Sequence, residues 1–200
     1  MEINCNQIQD RYAVNNSACF LEGLIKFIIF VWVTFMFSDE VYKYMFAALQ
    51  EAEKALEDNE VPVGAVVVHK NKIIGRGYNQ VEKLNDATAH AEMIALTAAS
   101  SFIGSWRLNE CEIYVTLEPC IMCTGAMLAS RIKRLYFAAF DPKFGACGSL
   151  YNLAEEGKYN HKIEIISGIY SEESRNLIAQ FFIQSRKKND SGDSLDIKSQ

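Results

Sequence analysis

Residues 111–140 read CEIYVTLEPCIMCTGAMLASRIKRLYFAAF, and this stretch decides the class of fold. Its first part, CEIYVTL, is rich in β-branched and aromatic residues and predicts a strand over 111–117. The segment that follows Pro119 predicts a helix over 120–130, and RIKRLYFAAF predicts a second strand over 131–140. Strands that alternate with helices along a chain are typical of layered α/β folds.

The segments on either side continue this alternation. We expect a helix over 38–57, strands over 61–69 and 72–78 joined by a turn at 70–71, a helix over 88–99, a strand over 162–166 and a helix over 171–188. The order of elements predicts an α/β fold, a three-layer αβα sandwich with a mixed five-stranded sheet that helices cover on both faces.

The composition fits one globular domain. The chain has 200 residues, of which 50% are hydrophobic and 22% are charged, so disorder, collagen and coiled coil are excluded for the chain as a whole. A domain of this length can bury a sizeable core without disulfides. The six cysteines are unevenly spaced, unlike the dense frameworks of small secreted domains. We therefore expect buried thiols or a metal site, and a cytoplasmic location.

The first 37 residues differ from the rest of the chain. An apolar run covers 24–37, but its charge-free part is 11 residues long, and a membrane-spanning helix needs about 20. Three interpretations stay open: a stretch upstream of an initiator at Met36, a membrane anchor that brings this segment into contact with lipid, or an element that packs on the domain or acts as a weak export signal. We expect an N-terminal extension over 1–37 outside the main fold, one domain over 38–188 and a polar C-terminal tail over 189–200.

Four residues at the starts of two predicted helices carry chemistry. His90 and Glu92 open one helix, and Cys120 and Cys123 open the next. The two thiols lie three positions apart, so they share one face of the helix near its N-terminus, where backbone N–H groups and the helix dipole stabilise thiolates. One imidazole and two thiolates form a ligand set suited to zinc, and three protein ligands leave the fourth tetrahedral position open for water.

Glu92 follows His90 by two residues, so the two side chains do not share one face of the helix. Glu92 is therefore placed to act on that water rather than to bind the metal. Zinc lowers the pKa of water from about 15.7 to about 7, and a neighbouring carboxylate can then serve as general base and general acid. Each motif alone has a simpler interpretation: the cysteines as a redox pair or as buried thiols, and His90 as a surface residue. A structural zinc module would need a fourth ligand. Both motifs together favour a hydrolytic zinc site.

These motifs resemble the zinc-dependent cytidine/deoxycytidylate deaminase superfamily, whose pattern is H-x-E followed by P-C-x-x-C. Other segments are similar to the tRNA-specific adenosine deaminases of that superfamily: VPVGAV at 61–66, GYN at 77–79, TAHAEM at 88–93, YVTLEPCIMC at 114–123, DPKFGACGSL at 141–150, and GIY at 168–170 leading into Phe181 and Phe182. The resemblance covers about 38–188 and implies a cytidine deaminase-like fold.

The resemblance implies conversion of adenosine to inosine at the wobble position of a tRNA anticodon. It assigns one Zn²⁺ per subunit to His90, Cys120 and Cys123, and proton transfer to Glu92. It assigns substrate contacts to Asn79, Val63, Gly64, Ala65, Asp141, Phe181 and Phe182, with Asn79 on the flipped base and Asp141 on the preceding nucleotide. The sequence departs from the family at Ala87, where proline is common, so we expect a looser loop there.

The resemblance also implies partners: a tRNA anticodon loop, and a second copy in a homodimer, with a heterodimer as the alternative. The net charge of −5 opposes RNA binding, so affinity would depend on local basic clusters at 131–134 and 186–188. Two other functions compete. One is a superfamily deaminase that acts on a free guanine or cytosine compound, and the other is a non-catalytic subunit of an editing heterodimer. The presence of Glu92 argues against the second, since such subunits tend to lose this residue.

Overall fold

The computed structural model of the protein describes residues 38–155 and 159–190. The helices are α1 (Asp39–Glu57), α2 (Val81–Leu84), α3 (Ala91–Ile103), α4 (Ile121–Ser130) and α5 (Ser171–Asp190). The strands are β1 (Gly64–His69), β2 (Lys72–Tyr78), β3 (Cys111–Leu117), β4 (Arg134–Ala139) and β5 (Glu164–Ser167).

The interpretations of the N-terminal extension and its apolar run lie outside the described residues, as does the predicted tail beyond the end of α5. Within the described ranges, no helix combines the length and the apolar character needed to cross a membrane.

The five strands form one mixed sheet in the order β2-β1-β3-β4-β5. Strand β1 runs antiparallel to both of its neighbours, whereas β3, β4 and β5 are parallel to one another. The turn between β1 and β2 consists of Lys70 and Asn71, whose φ angles of 47° and 59° are both positive, as the right-handed twist of a two-residue hairpin requires. The predicted mixed five-stranded sheet is confirmed.

Helices cover both faces of the sheet, which confirms the predicted three layers. On one face, apolar residues of β1, β3 and β4 form a buried core with α3 and α4. On the other face, Tyr44 of α1 packs against Tyr114 of β3 with ring centroids 5.3 Å apart. Strands buried on both sides read as nearly continuous apolar runs, which explains the composition of VVV in β1 and LYFAA in β4.

Glycine lets α3 approach the sheet closely. A Cβ atom on Gly77 of β2 would lie 2.3 Å from the carbonyl oxygen of Ala91, so any side chain at this position would push the helix away. Ala91 is the first residue of α3, directly after His90. The close packing therefore fixes the end of α3 that carries the candidate metal ligand.

Element boundaries differ from the predictions where side chains or special backbone angles intervene. Helix α3 begins at Ala91 rather than at residue 88, because the Asp86 carboxylate accepts hydrogen bonds from the backbone N–H and the hydroxyl of Thr88 and holds a turn there. Strand β4 begins at Arg134 because Arg131 has a left-handed conformation and ends α4.

Candidate active site

Three metal-ligating side chains meet between the starts of α3 and α4. His90 is the N-cap residue of α3, Cys120 is the N-cap residue of α4, and Cys123 lies in the first turn of α4. Nδ1 of His90 is 3.8 Å from Sγ of Cys120 and 3.5 Å from Sγ of Cys123. All three ligand atoms lie within 4.8 Å of one another. The structure therefore brings together the three residues that the sequence predicted as zinc ligands.

The spacing of these atoms fits tetrahedral zinc. An imidazole nitrogen at about 2.0 Å and a thiolate at about 2.3 Å from one tetrahedral ion lie about 3.5 Å from each other. The two nitrogen–sulfur distances are close to that value. Cys123 is fully buried, while His90 and Cys120 are partly exposed, so the site opens toward solvent on one side. A nitrogen and two sulfurs with one open position match catalytic rather than structural zinc centres.

The electrostatic interactions among the three ligand side chains favour a cation between them. The hydrogen bond from the Cys123 thiol is the main cause that lowers the pKa of Cys120 to about 4, and it raises the pKa of Cys123 itself. The hydrogen bond with Cys120 raises the pKa of His90. Because zinc binds cysteine as the thiolate, metal binding must displace the thiol proton of this hydrogen-bonded pair.

Glu92 lies in the first turn of α3 and is only 4% exposed. Burial is the main cause that raises the pKa of its carboxyl group to about 7. The carboxyl group also forms a hydrogen bond with Cys123 and interacts electrostatically with His90, and both interactions partly oppose the rise of its pKa. It therefore lies next to the ligands and is not one of them. A carboxyl group that titrates near neutral pH can both accept and donate a proton during a reaction.

Asn79 follows β2 and is tied to the elements around the ligands. Its backbone N–H donates to the carbonyl of Val63 at 3.0 Å, and the N–H of Gln80 donates to the carbonyl of Ala89 at 3.0 Å. The side chain of Asn79 is buried, and its Nδ2 donates to the Glu60 carboxylate. The Asn79–Gln80 segment therefore joins the start of β1 to the loop that precedes His90.

The three predicted pocket residues at the start of β1 point in different directions. Val63 and Ala65 belong to the buried core that also contains Ala91 and Cys123. Gly64 faces α1 instead, because a Cβ atom there would lie 2.1 Å from the carbonyl oxygen of Ala48. The backbone of this segment is therefore closely packed on both sides. A side chain at position 64 would project toward α1 and not toward α3.

A loop after β4 packs against the metal-binding segment. Gly145 forms a β-bridge with Cys120, and the N–H of Ala146 donates to the carbonyl of Pro119 at 2.9 Å. Asp141 begins this loop, and its Oδ1 accepts from the N–H groups of Lys143 and Phe144 at 2.8 and 3.3 Å. The predicted contact residue Asp141 thus lies on the loop beside the ligands.

Sequence reasoning missed Glu118, which organises this loop. Its carboxylate is 3% exposed and accepts from the N–H groups of Asp141, Cys147 and Ser149 at 3.0, 3.0 and 2.9 Å, and from the Ser149 hydroxyl. The available signal was a charged residue between a buried strand and the Pro-Cys motif. Such a residue needs partners, because an unpaired buried charge is costly.

Two other predicted RNA-binding features belong to α5 and to the start of β4. Phe181 and Phe182 form an edge-to-face pair on α5 with centroids 5.4 Å apart, and about half of Phe182 is exposed. In the basic cluster at 131–134, Arg134 pairs with Glu112 at 2.9 Å and with Glu164 at 2.7 Å. These two ion pairs offset the positive charge of Arg134, so the contribution of this cluster to RNA binding depends more on its other basic residues.

Comparison with known proteins gives a consistent result. Residues 38–139 match the family described as the cytidine and deoxycytidylate deaminase zinc-binding region. The chain is 46% identical over 153 residues to the tRNA-specific adenosine deaminase of Bacillus subtilis strain 168, covering 76% of this chain and 94% of that protein. It is 43% identical over 139 residues to the enzyme of the same name from Aquifex aeolicus, covering 70% and 91%.

A solved structure supports the same grouping. It comes from a study of A-to-I editing by tRNA:A34 deaminases at the wobble position of transfer RNA. It superposes with a TM-score of 0.66 at 41% identity, covering 68% of this chain and 98% of that one. Both kinds of comparison thus cover nearly the whole length of the related proteins.

Proposed function

The chain belongs to the cytidine and deoxycytidylate deaminase family, and on that premise we propose that it converts adenosine to inosine at the wobble position of a tRNA anticodon. The observation that carries the proposal is the buried Glu92 carboxyl group beside an incomplete tetrahedral set of His90, Cys120 and Cys123. The similarity to tRNA-specific adenosine deaminases over nearly their whole length supports the choice of substrate.

The reaction is a hydrolysis. Water adds its oxygen to C6 of adenine, the C6–N6 bond breaks, and ammonia leaves. A zinc ion held by the three ligands would supply a Lewis acid that lowers the pKa of water to about 7. Glu92 accepts a proton from the attacking water, delivers a proton to N1 and then passes one to the departing amine. Burial raises the pKa of this carboxyl group above its usual value, which suits a group that must first accept and then donate a proton.

The proposal assigns substrate recognition to the remaining predicted residues. Asn79 would hydrogen-bond the flipped base, the segment 63–65 would border the pocket, and Asp141 would contact the preceding nucleotide. The pair Phe181 and Phe182 would contact RNA on α5. Unstacked anticodon bases reduce the cost of base flipping, which is a few kcal/mol in a duplex.

We also propose a cytoplasmic homodimer. Two cysteine ligands that must stay reduced favour a reducing compartment. Large apolar side chains are exposed at Ile121, next to Cys120, and at Phe144 and Leu150 on the loop after β4, which pairs with Cys120 through Gly145. A second copy of the chain would cover such a surface, and a heterodimer is the alternative that a measurement of mass in solution would distinguish.

The test is an assay of the purified protein on an anticodon stem-loop with adenosine at the wobble position, with inosine measured by mass spectrometry. Glu92→Ala should keep its zinc and lose deamination, while Glu53→Ala, an exposed change on α1, should leave both intact. Deamination of free guanine or cytidine with an inert stem-loop would assign the chain to a different deaminase. Full activity of metal-free protein, or of Glu92→Ala, would overturn the mechanism.

A further inference from the structure

Glu60 is a buried carboxylate that the proposed reaction does not use. It is 1% exposed and follows α1, where its backbone N–H donates to the carbonyl of Ala55 at 2.8 Å. Oε2 accepts a hydrogen bond from Nδ2 of Asn79 at 3.2 Å, and Oε1 accepts one from the backbone N–H of Lys83 at 2.8 Å. Both of these donors are uncharged amides, so neither hydrogen bond is an ion pair.

The hydrogen bond to Lys83 anchors the short helix α2. Lys83 is the third residue of α2, and its N–H is one of those that a helix leaves without an internal partner. The N-cap residue Gln80 makes no side-chain hydrogen bond that could satisfy it. Glu60 therefore serves as a cap from outside the helix, and its negative charge is favourable at this end. This contact holds the Asn79–Gln80 segment in place.

The hydrogen bond to Asn79 fixes the orientation of a carboxamide. An ionised carboxylate only accepts hydrogen bonds, so it selects the –NH₂ group of Asn79 as its partner. Oδ1 of Asn79 and the second Nδ2 hydrogen are then left for other partners. Without Glu60, the same side chain could rotate by half a turn and exchange its acceptor for its donor.

We infer that Glu60 is a positioning residue that holds Asn79 with its amide oxygen available to the substrate. The inference rests on the proposed function. A fixed oxygen beside one amide hydrogen matches the N6–H donor and N7 acceptor of adenine, whereas guanine presents two acceptors, O6 and N7, on that edge. Glu60 thus favours adenine over guanine through Asn79 without touching the base.

Glu60→Gln tests this inference sharply. Glutamine keeps one acceptor for the N–H of Lys83 and then turns its own –NH₂ toward Asn79, which must rotate to offer Oδ1. We expect kcat/KM on the adenosine stem-loop to fall about 10- to 100-fold, the loss typical of a hydrogen bond to a charged group. In an Asn79→Ala background the same change should alter kcat/KM less than about twofold, because the residue it acts through is absent.

Two further measurements separate positioning from stability. Glu51→Gln changes another buried carboxylate, whose partners are Lys54 and Arg76, and should leave kcat/KM unchanged. In ¹⁵N-labelled protein, the side-chain amide resonances of Asn79 should shift in Glu60→Gln and stay in place in Glu51→Gln. Equal losses from Glu60→Gln in the wild-type and Asn79→Ala backgrounds, or an unmoved Asn79 amide, would overturn the inference. If wild-type protein were inert on the stem-loop while Glu60→Gln still shifted the Asn79 amide resonances, the proposed substrate would be refuted and the Glu60–Asn79 contact would stand.

Discussion

Replacing Glu118 with glutamine should destabilise the protein by about 2–4 kcal/mol, although the two side chains have almost the same shape. Two carboxylate oxygens serve four donors, since Oε1 accepts from the N–H groups of Cys147 and Ser149 and Oε2 accepts from the N–H of Asp141 and the hydroxyl of Ser149. Glutamine offers one oxygen and one –NH₂ group to the same set. Its better orientation places –NH₂ near Ser149 Oγ, which can reverse its role and accept.

The magnitude follows from that orientation. The N–H of Asp141 loses its acceptor, which costs about 1–3 kcal/mol for a buried group. The two N–H groups on the remaining oxygen keep their hydrogen bonds but lose the charge assistance, about 1 kcal/mol each. Burying a neutral amide costs less than burying a carboxylate, which offsets part of the sum.

Urea unfolding of the metal-free protein, followed by far-ultraviolet circular dichroism, measures the change in the free energy of unfolding. Amide hydrogen exchange should show lost protection at Asp141 in particular. The matched control is Glu51→Gln, because Glu51 is equally buried but its partners Lys54 and Arg76 are about half exposed and can turn to water. It should cost less than about 1 kcal/mol. If Glu118→Gln matched this control, the carboxylate would not be organising the loop.

Three further predictions concern the same region. In metal-free protein, Glu92→Gln and wild type should have the same free energy of unfolding near pH 4.5. At pH 7 the variant should be more stable by about 3 kcal/mol, because burial raises the carboxyl pKa from 4.5 to about 7 and wild type loses stability as the pH rises between these values. Parallel pH profiles of the two proteins would contradict this. Gly145→Ala should destabilise the protein by about 1–3 kcal/mol, since the new Cβ would lie 2.4 Å from Cδ of Glu118. Gly125→Ala, which has open space around it on α4, should stabilise the protein by about 0.5–1 kcal/mol. Thermal denaturation compares the two variants, and equal effects would refute the steric argument. Cys123→Ser should abolish stoichiometric zinc binding measured by mass spectrometry of the native protein, and zinc retention would remove Cys123 from the ligand set.

The long elements could be predicted from the sequence because their patterns are local. The valine-rich β1 and the apolar β3 and β4 match the expected strands, and the spacing of His90, Cys120 and Cys123 was enough to predict a zinc set at two helix starts. Helix starts are recognisable because capping and first-turn residues are close in sequence.

Long-range contacts could not be predicted in the same way. Arg134 lies directly opposite Glu112 on β3 and Glu164 on β5, and this register brings two carboxylates to a residue that looks like a free cation in the sequence. Helix α2 has only four residues, and the Glu60 carboxylate that caps it lies 23 positions from the Lys83 N–H group. Neither contact leaves a periodic pattern in the chain.

The positions of the ligands also bear on folding. His90 and Cys123 are 33 positions apart and belong to different helices, with β3 between them. One ion bound to both would act as a reversible cross-link around a central strand of the sheet. Because the ion binds the folded chain and leaves the unfolded one, it would stabilise the fold by about 4 kcal/mol when free zinc exceeds its Kd about 1,000-fold. Zinc supply would then govern how long the protein survives proteolysis, independently of its role in chemistry.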